Sequence, residues 1–371
     1  MVEPQRAATG TAARFARQRA LPGFGDEAQD ALAGARVLII GAGGLGSSVI
    51  PALAAAGVGR LGIIDDDVVE LSNLHRQLIH DERSVGSSKV RSAASRVAAL
   101  NSTTVVDELD SRLDPATALD LFARYDLVVD GSDNFATRYL ANDAAALTGI
   151  PLVWGAVSQY GGQAGVAWAA KGPQYRDLFP TPPPPGSVLS CEAGGVLPSV
   201  VAVVGAIMAG EVVKILTGIG EPLIGRVTTY DSLSGTFREL AYSPDPTAEP
   251  IAGLIDYDAF CGVPRRSDSV TPAELEGELE SAAPPLLLDV REEWEAAIGM
   301  IPGAVLVPLG HLAEELDGVD PTLEVIAYCH HGIRSATALT ILREHGFDRA
   351  RHLEGGIDAW SREIDPTIER Y

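Results

Sequence analysis

The chain has 371 residues, 46% of them apolar, enough for two or three domains with real cores. Its 50 acidic and 28 basic residues give a net charge of −22, which argues against nucleic-acid and anionic-membrane partners. Three cysteines (Cys191, Cys261 and Cys329), none in a C-x-x-C pair, argue against a disulfide framework and fit a reducing, cytoplasmic setting; the first residues lack the apolar core of a signal peptide.

From 36 to 157 the pattern alternates between strand and helix. Strand-like runs lie at 36–40, 60–65, 103–109, 125–130 and 150–157, with helix-like runs at 46–57, 86–100, 116–123 and 134–148. Such alternation predicts an α/β domain with a mostly parallel sheet covered on both faces. An extra strand is expected at 161–170, then a Pro-rich loop at 171–195. A long apolar helix (197–217) and two strands (226–231, 236–241) complete a first domain, 1–242. The apolar helix contains Pro198 and runs into Glu211 and Lys214, so it reads as a buried or interface helix rather than a membrane span. Residues 243–270, rich in Pro, Asp and Ser, read as a linker. A second α/β domain, 271–371, opens with Pro272 at the first position of a helix and places a helix at 333–345. Charge divides unevenly: 21 acids and 7 bases from 268 onward against 29 and 21 before it.

The first chemical signal is Gly41, Gly43 and Gly46 in G-x-G-x-x-G spacing, between a strand and a helix, with Asp65 at the end of the next strand. This is the fingerprint of a Rossmann-like nucleotide fold, in which the acid can bind ribose hydroxyls. The glycines alone leave a nicotinamide dinucleotide open. The residues beyond Asp65 turn the reading toward ATP. Asn73 and Arg76 are donors suited to phosphate oxygens, Gln77 stands beside them, and Lys89 begins a helix, where a cation is poorly placed unless an anion is near. Asp130 and Asp133 lie beyond a strand's carboxyl end; Asp133 is the better Mg²⁺ ligand, and Asp130 closes the strand structurally. Nothing in the set positions a nicotinamide ring or a hydride acceptor.

"RFARQ" (14–18), "GAGGLGS" (41–47), "DDDVVELSNLHRQ" (65–77), "VGSSK" (85–89) and "DGSDNFATR" (130–138) together resemble the MoeB/ThiF family, bacterial relatives of ubiquitin-activating enzymes. That resemblance implies adenylylation of the C-terminal Gly-Gly carboxylate of a ubiquitin-like sulfur carrier of the MoaD/ThiS type. It implies that Gly41, Gly43, Gly44 and Gly46 form the phosphate loop, that Asp65 binds ribose, and that Asn73, Arg76 and Lys89 contact phosphates. It further implies that Asp133 holds Mg²⁺ and that Arg17 reaches ATP from the other subunit of a homodimer. Many members bind a structural zinc through two C-x-x-C pairs. Here Gln174 and Asp177 stand at the first pair and only Cys261 lies near the second, so no structural zinc is expected. Cys191, on the Pro-rich loop, occupies the place of a cysteine that in rhodanese-fused members is thought to link transiently with the carrier.

The second signal is "EVIAYCHHGIRSATAL". Cys329 at a strand end is followed by His330, His331, Gly332, Ile333, Arg334 and Ser335, a tight loop running into a helix. Backbone N–H groups there form an anion cradle that suits a thiolate or persulfide, and Arg334 adds positive charge. With "LLLDVREEWE" (286–295), "GMIPGA" (299–304) and "HLEGGIDAW" (352–360), this region resembles a single rhodanese domain, with Met300 where a His often stands. That resemblance implies a persulfide on Cys329, with Asp289 and Arg291 bracing the domain. The combination is similar to the MoeZ-like, molybdopterin-synthase sulfurylase fusions. It implies ATP-dependent activation of the carrier followed by sulfur transfer, with thiosulfate or a cysteine desulfurase as donor, in molybdenum cofactor, thiamine, cysteine or tRNA thiolation.

Overall fold

The computed structural model describes residues 13–183, 194–262, 268–316 and 319–371. The chain divides into two compact units with a boundary between Tyr257 and Asp258.

The first unit is built on an eight-stranded sheet in the order β3-β2-β1-β4-β5-β6-β7-β8. β1 (Arg36–Ile40), β2 (Arg60–Asp65), β3 (Val105–Asp110), β4 (Leu127–Asp130) and β5 (Leu152–Ser158) are parallel; β6 (Gly161–Ala167), β7 (Arg226–Asp231) and β8 (Thr236–Ala241) are antiparallel. β1 and β4 are almost wholly buried, which is why they read as continuous apolar runs rather than alternating ones. Helices α1 (Gly44–Ala56), α2 (Lys89–Leu100), α3 (Pro115–Phe122), α4 (Phe135–Thr148) and α5 (Pro198–Thr217) cover the sheet. α5 is the apolar helix that composition alone could mistake for a membrane span. It packs on α1 and β5 and buries Val200, Val201, Val204, Met208 and Val212 in the core. β1 pairs with β2 on one side and β4 on the other, so the strand order reverses there. A crevice forms at the carboxyl ends of strands at such a point, and ligands bind in it.

Gln174 and Asp177 form a capping box around a short helix, Tyr175–Leu178. Gln174 Oε1 accepts from Asn142, and Asp177 Oδ1 accepts the Asp245 backbone N–H at 2.9 Å. Buried Asp143 accepts both arms of Arg176 and the Tyr257 hydroxyl, at 2.7–2.8 Å. These bonds tie residues 245 and 257, within the stretch read as a linker, into the first unit.

The second unit carries a five-stranded parallel sheet in the order β11-β10-β12-β13-β9: β9 (Ser269–Val270), β10 (Leu286–Asp289), β11 (Val305–Leu306), β12 (Val325–Tyr328) and β13 (Arg351–Leu353). α6 (Pro272–Leu279), α7 (Ile333–Glu344) and α8 (Gly356–Glu363) complete it, with apolar clusters on both faces of the sheet. Arg291 and Asp289 are fully buried and paired, with Arg291 Nη2 at 2.6 Å from Asp289 Oδ2. Arg291 also donates to the carbonyls of Glu295 and Gly299 and to the Tyr371 hydroxyl, gathering four segments around one side chain. Arg291→Met strands the buried Asp289 carboxylate and should cost the second unit about 3–5 kcal/mol. Adding Asp289→Leu should recover most of that loss. Calorimetric unfolding of the full chain checks both variants.

Candidate active sites

The glycine loop joins β1 to α1 at the strand-order reversal. Gly41 sits at φ +91°, which favours glycine, and a Cβ there would crowd the Gly131 carbonyl at 3.1 Å. A Cβ on Gly46 would collide with the Gly41 carbonyl, so α1 can start this close to β1 only with glycine at that position. The Gly41 N–H donates to Ile64 O and the Gly131 N–H to Ile40 O, both at 2.9 Å, which joins the ends of β1, β2 and β4. Beyond Gly43 and Gly44, the free N–H groups of α1 open toward the crevice, a geometry suited to phosphate.

Ala42, within this loop, is clamped on both its polar groups. Its N–H donates to Asp65 Oδ2 at 2.7 Å, and its carbonyl meets His80 Nε2 at 3.0 Å. His80 Nδ1 lies 2.9 Å from Ser92 Oγ. A ring facing a carbonyl through Nε2 carries its proton there, and burial lowers its basicity, so His80 sits as the neutral imidazole. Asp65 Oδ1 accepts the Asp67 N–H at 2.9 Å. Burial raises the Asp65 carboxyl above its usual range, while nearby Lys89 pulls it the other way. Lys89, buried at the first turn of α2, places Nζ 2.6 Å from Asp67 Oδ2. Burial would lower its pKa, but Asp65 and Asp67, with a smaller contribution from Asp133, raise it on balance. The structure therefore gathers Asp65, Lys89 and Asp133 within electrostatic reach at the end of the sheet. Asp133 is exposed just before Asn134, whose side chain caps α4.

Asp130 has a different job, as its position at the strand end suggested. It is fully buried, accepts Arg138 Nε at 3.0 Å, and takes the Ser132 N–H at 2.9 Å. Asn73 is buried, with Oδ1 toward the Glu70 N–H. Arg76 donates to the Ser72 carbonyl, and no carboxylate pairs with it among the described residues. Arg17 stands exposed on the short helix Ala16–Arg19. Its neighbour Gln18 bonds Ala56 O at the far end of α1, about 18 Å of helix from the glycine loop. Cys191 lies outside the described residues.

In the second unit Cys329 comes directly after β12 and is 2% exposed. Its Sγ receives the Gly332 N–H at 3.1 Å and faces the Ser335 hydroxyl at 3.7 Å. Gly332, at φ +100°, caps α7, so the sulfur rests against the start of that helix; Ile333 and Ser335 lie in its first turn. The carbonyls of Cys329 and His330 accept N–H groups from Ile357 and Asp358 at the start of α8. His330 is packed between His331 and Tyr371, with ring centroids 4.0 and 4.2 Å away. Burial pushes it down to about 4, which leaves it neutral near pH 7. His331 Nδ1 lies 3.7 Å from Asp358 Oδ2.

Arg334 lies within electrostatic reach of Cys329 and is itself held by a carboxylate. Both its arms hold Glu295, at 2.5 and 2.6 Å. Burial would raise the Glu295 carboxyl, but Arg334, the Glu292 N–H and the Tyr371 hydroxyl together outweigh that and bring it to about 2. The pattern is general in this unit. All seven arginines from 268 onward pair with its own carboxylates: Arg291, Arg334, Arg343, Arg349, Arg351, Arg362 and Arg370. Sequence reasoning missed His80, Glu295 and Tyr371. The partners that place them at the two sites, Ala42 for His80, Arg334 for Glu295 and Glu295 for Tyr371, lie 38, 39 and 76 residues away, and no spacing pattern announces them.

Residues 15–250 match the ThiF family and residues 271–363 the rhodanese-like domain. The chain therefore belongs to the ThiF family, joined to a rhodanese-like domain, and uses ATP as that family does. It is 44% identical, over 100% of its own length and 98% of the relative's, to the probable adenylyltransferase/sulfurtransferase MoeZ of Mycobacterium tuberculosis. It is 40% identical to the adenylyltransferase and sulfurtransferase MOCS3 of Sus scrofa, across 96% of this chain and 87% of that one. The sulfur carrier protein adenylyltransferase of Thermus thermophilus is 48% identical across 67% of this chain and 96% of its own length. By these relationships the chain is an enzyme, an adenylyltransferase and sulfurtransferase. Among solved structures, E. coli MccB with ATP shares the fold at TM-score 0.54 and 23% identity, covering 60% of this chain and 68% of that one.

The His80 latch has a pH signature. Because the folded state lowers the His80 pKa from 6.5, the unfolded chain takes up the proton first. The stability contributed by the neutral ring is complete above pH about 6.5 and declines as pH falls below it. His80→Ala should cost about 2 kcal/mol at pH 7.5 and flatten the acid-side decline. Denaturant unfolding at stepped pH measures both.

Proposed function

We propose that the first unit adenylylates the C-terminal Gly-Gly carboxylate of a ubiquitin-like sulfur carrier and that the second supplies the sulfur. The observation that carries this reading is the meeting of Asp65 and Lys89, with Asp133 in electrostatic reach of Lys89, beside a phosphate-type glycine loop at the strand-order reversal. The carrier carboxylate attacks the α-phosphorus of ATP, the P–O bond to pyrophosphate breaks, and an acyl-adenylate forms. Two anions must approach one another, so cations and N–H donors supply most of the catalysis. Arg76 and Lys89 screen the phosphates, Asn73 contributes a donor, and the carboxylate of Asp65 accepts the ribose hydroxyls. Asp133 is exposed, within electrostatic reach of Lys89, and carries the acid oxygens that suit Mg²⁺, which would neutralise the leaving pyrophosphate. No structural zinc is needed: Gln174 and Asp177 are engaged in hydrogen bonds that tie residue 245 to the first unit.

The outer sulfur of a persulfide on Cys329 then attacks the acyl carbon and AMP leaves, giving an acyl disulfide. A thiolate attacking Cys329 Sγ releases the carrier thiocarboxylate and leaves a disulfide, which a cellular dithiol reduces. Cys191 supplies that thiolate. The donor is a persulfide presented by a cysteine desulfurase rather than free thiosulfate. Supporting this, residues 268–371 carry a net charge of −14 (21 acids against 7 bases), with every one of those bases paired, a poor field for a small dianion. The enzyme works as a soluble cytoplasmic homodimer in which Arg17 serves the partner's ATP site. Arg17 is remote from its own glycine loop, and α5 exposes an uncharged stripe of Ala202, Ala206 and Gly210.

Asp133→Ala should abolish carrier-dependent ATP–pyrophosphate exchange, at least about a hundredfold, and thiocarboxylate with it. Cys329→Ala should keep the exchange and lose thiocarboxylate, read by carrier mass. Cys191→Ser should keep the exchange and slow release; wild-type rates for both steps would remove Cys191 from the scheme.

A further inference from the structure

Cys329 is 2% exposed and Ser335, against it, is fully buried, so a proton on that sulfur has little direct access to water. Ser335 Oγ lies 3.7 Å from Cys329 Sγ and 3.4 Å from Nδ1 of His352. His352 is half-buried, and its Nε2 has no partner among the described residues and is not sealed from solvent. Sulfur, hydroxyl and imidazole therefore form a chain that runs from the buried nucleophile to water.

The backbone fixes the members of this chain. His352 stands on β13 opposite Ala327 of β12, two residues before Cys329, and opposite Ser269 of β9 on its other side. Ser335 lies in the first turn of α7, whose cap is Gly332. A Cβ on Gly332 would stand 3.9 Å from His352 Cε1, so the ring rests against the Cys329 loop. The Ser335 hydroxyl has one proton and a choice of acceptors, because it also reaches the Gly332 carbonyl at 3.0 Å. Burial lowers the basicity of His352 and Asp268 opposes that, which leaves the ring neutral near pH 7 and able to take a proton. Asp268 is held in turn by Arg343 of α7, Nη2 2.8 Å from Oδ1. The other charges in reach of the sulfur are Arg334 and its partner Glu295. His330, next to Cys329 in the chain, is worse suited: its Nδ1 is sealed without a partner, and burial pushes it down to about 4.

We propose that His352, acting through Ser335, relays the Cys329 thiol proton to water and back, a positioning residue of the second unit that does not itself touch the sulfur. The assignment rests on the reading of Cys329 as the thiol that takes up and passes on sulfur. During loading the Sγ–H proton passes to Ser335 Oγ as the Ser335 proton passes to His352 Nδ1. The freed Sγ lone pair attacks the outer sulfur of the donor persulfide, the donor S–S bond breaks, and the donor thiolate leaves with the bonding pair. The imidazolium then gives its Nε2 proton to water, which reprotonates the departing thiolate. When the Cys329 disulfide is later reduced, Cys329 leaves as the thiolate and recovers its proton by the reverse route. The 3.4 and 3.7 Å separations are those of the resting protein, and such contacts tighten when the reacting state forms.

The test compares the full-length wild type with His352→Gln, Ser335→Ala and the double variant. Alkylation of Cys329 by iodoacetamide is followed against pH by peptide mass, and sulfur uptake is followed with cysteine persulfide as the donor. His352→Gln should slow both about ten- to hundredfold at about pH 7 and approach wild type at about pH 9, where hydroxide takes the proton. The alkylation midpoint should accordingly move up by about one pH unit or more. Ser335→Ala should do the same, and the double variant should be no slower than the slower single variant, because one chain is cut in two places. A midpoint in His352→Gln that stays at the wild-type pH, or a loss that is the same at low and high pH, overturns the assignment. So does a double variant whose loss is the product of the two single losses. A wild type that takes up no sulfur at Cys329 contradicts the reading of the second unit instead, and the alkylation profile then judges the relay on its own.

Discussion

Both polar groups of the Ala42 peptide are held, the N–H by Asp65 and the carbonyl by His80. The nucleotide-site geometry depends on that clamp. It fixes the glycine loop against the end of β2 and fixes the connection from 73 to 80 against the glycine loop. Asp65 thus brings a strand end, and His80 a chain segment, to one residue of the loop. The Asp65 oxygens already accept two backbone N–H groups, but each keeps a further lone pair for a ligand. The neutral state of His80 matters for the same reason: a protonated ring would present a donor to Ser92 as well as to Ala42, and burial opposes the charge.

The second unit solves a comparable problem with different chemistry. Cys329 sits at a strand end under the first N–H groups of α7, and the loop carbonyls are stitched to the start of α8. The Gly332 N–H meets the sulfur, and the one arginine in the loop, paired with Glu295, lies within electrostatic reach of it. Tyr371 reinforces that pairing, donating to Glu295 and accepting from Arg291 while its ring packs on His330. The buried Asp289–Arg291 pair beneath joins the strand end to the same network. The loop after Cys329 is in this way held by hydrogen bonds and ion pairs within its own unit.

Much of this was legible in sequence wherever the signal is local. Alternating strands and helices located β1 to β5, Lys89 opens α2, and Cys329 stands immediately after β12. Asp130 could be separated from Asp133 by its place in the strand, and it does pair with Arg138 in the interior. What was not legible is long-range and unpatterned. No spacing announces that Glu295, 39 residues earlier, folds onto Arg334. The tie from Asp143 to Tyr257 crosses 114 residues, so composition placed Tyr257 in a linker. Gln77 was visible beside Arg76, but only burial shows that its Oε1 lacks a partner.

The central claim is that ATP energy is spent on a carrier carboxylate and that the sulfur delivered to it comes from Cys329. A single turnover with the Cys329 persulfide labelled in its outer sulfur measures this directly. A carrier ending in Gly-Gly and ATP are added together, and carrier mass and AMP are tracked in time. The account predicts that label moves to the carrier C-terminus with one AMP released per thiocarboxylate and none transferred without ATP. Label that stays on Cys329 while AMP accumulates, or that reaches the carrier without ATP, would contradict it.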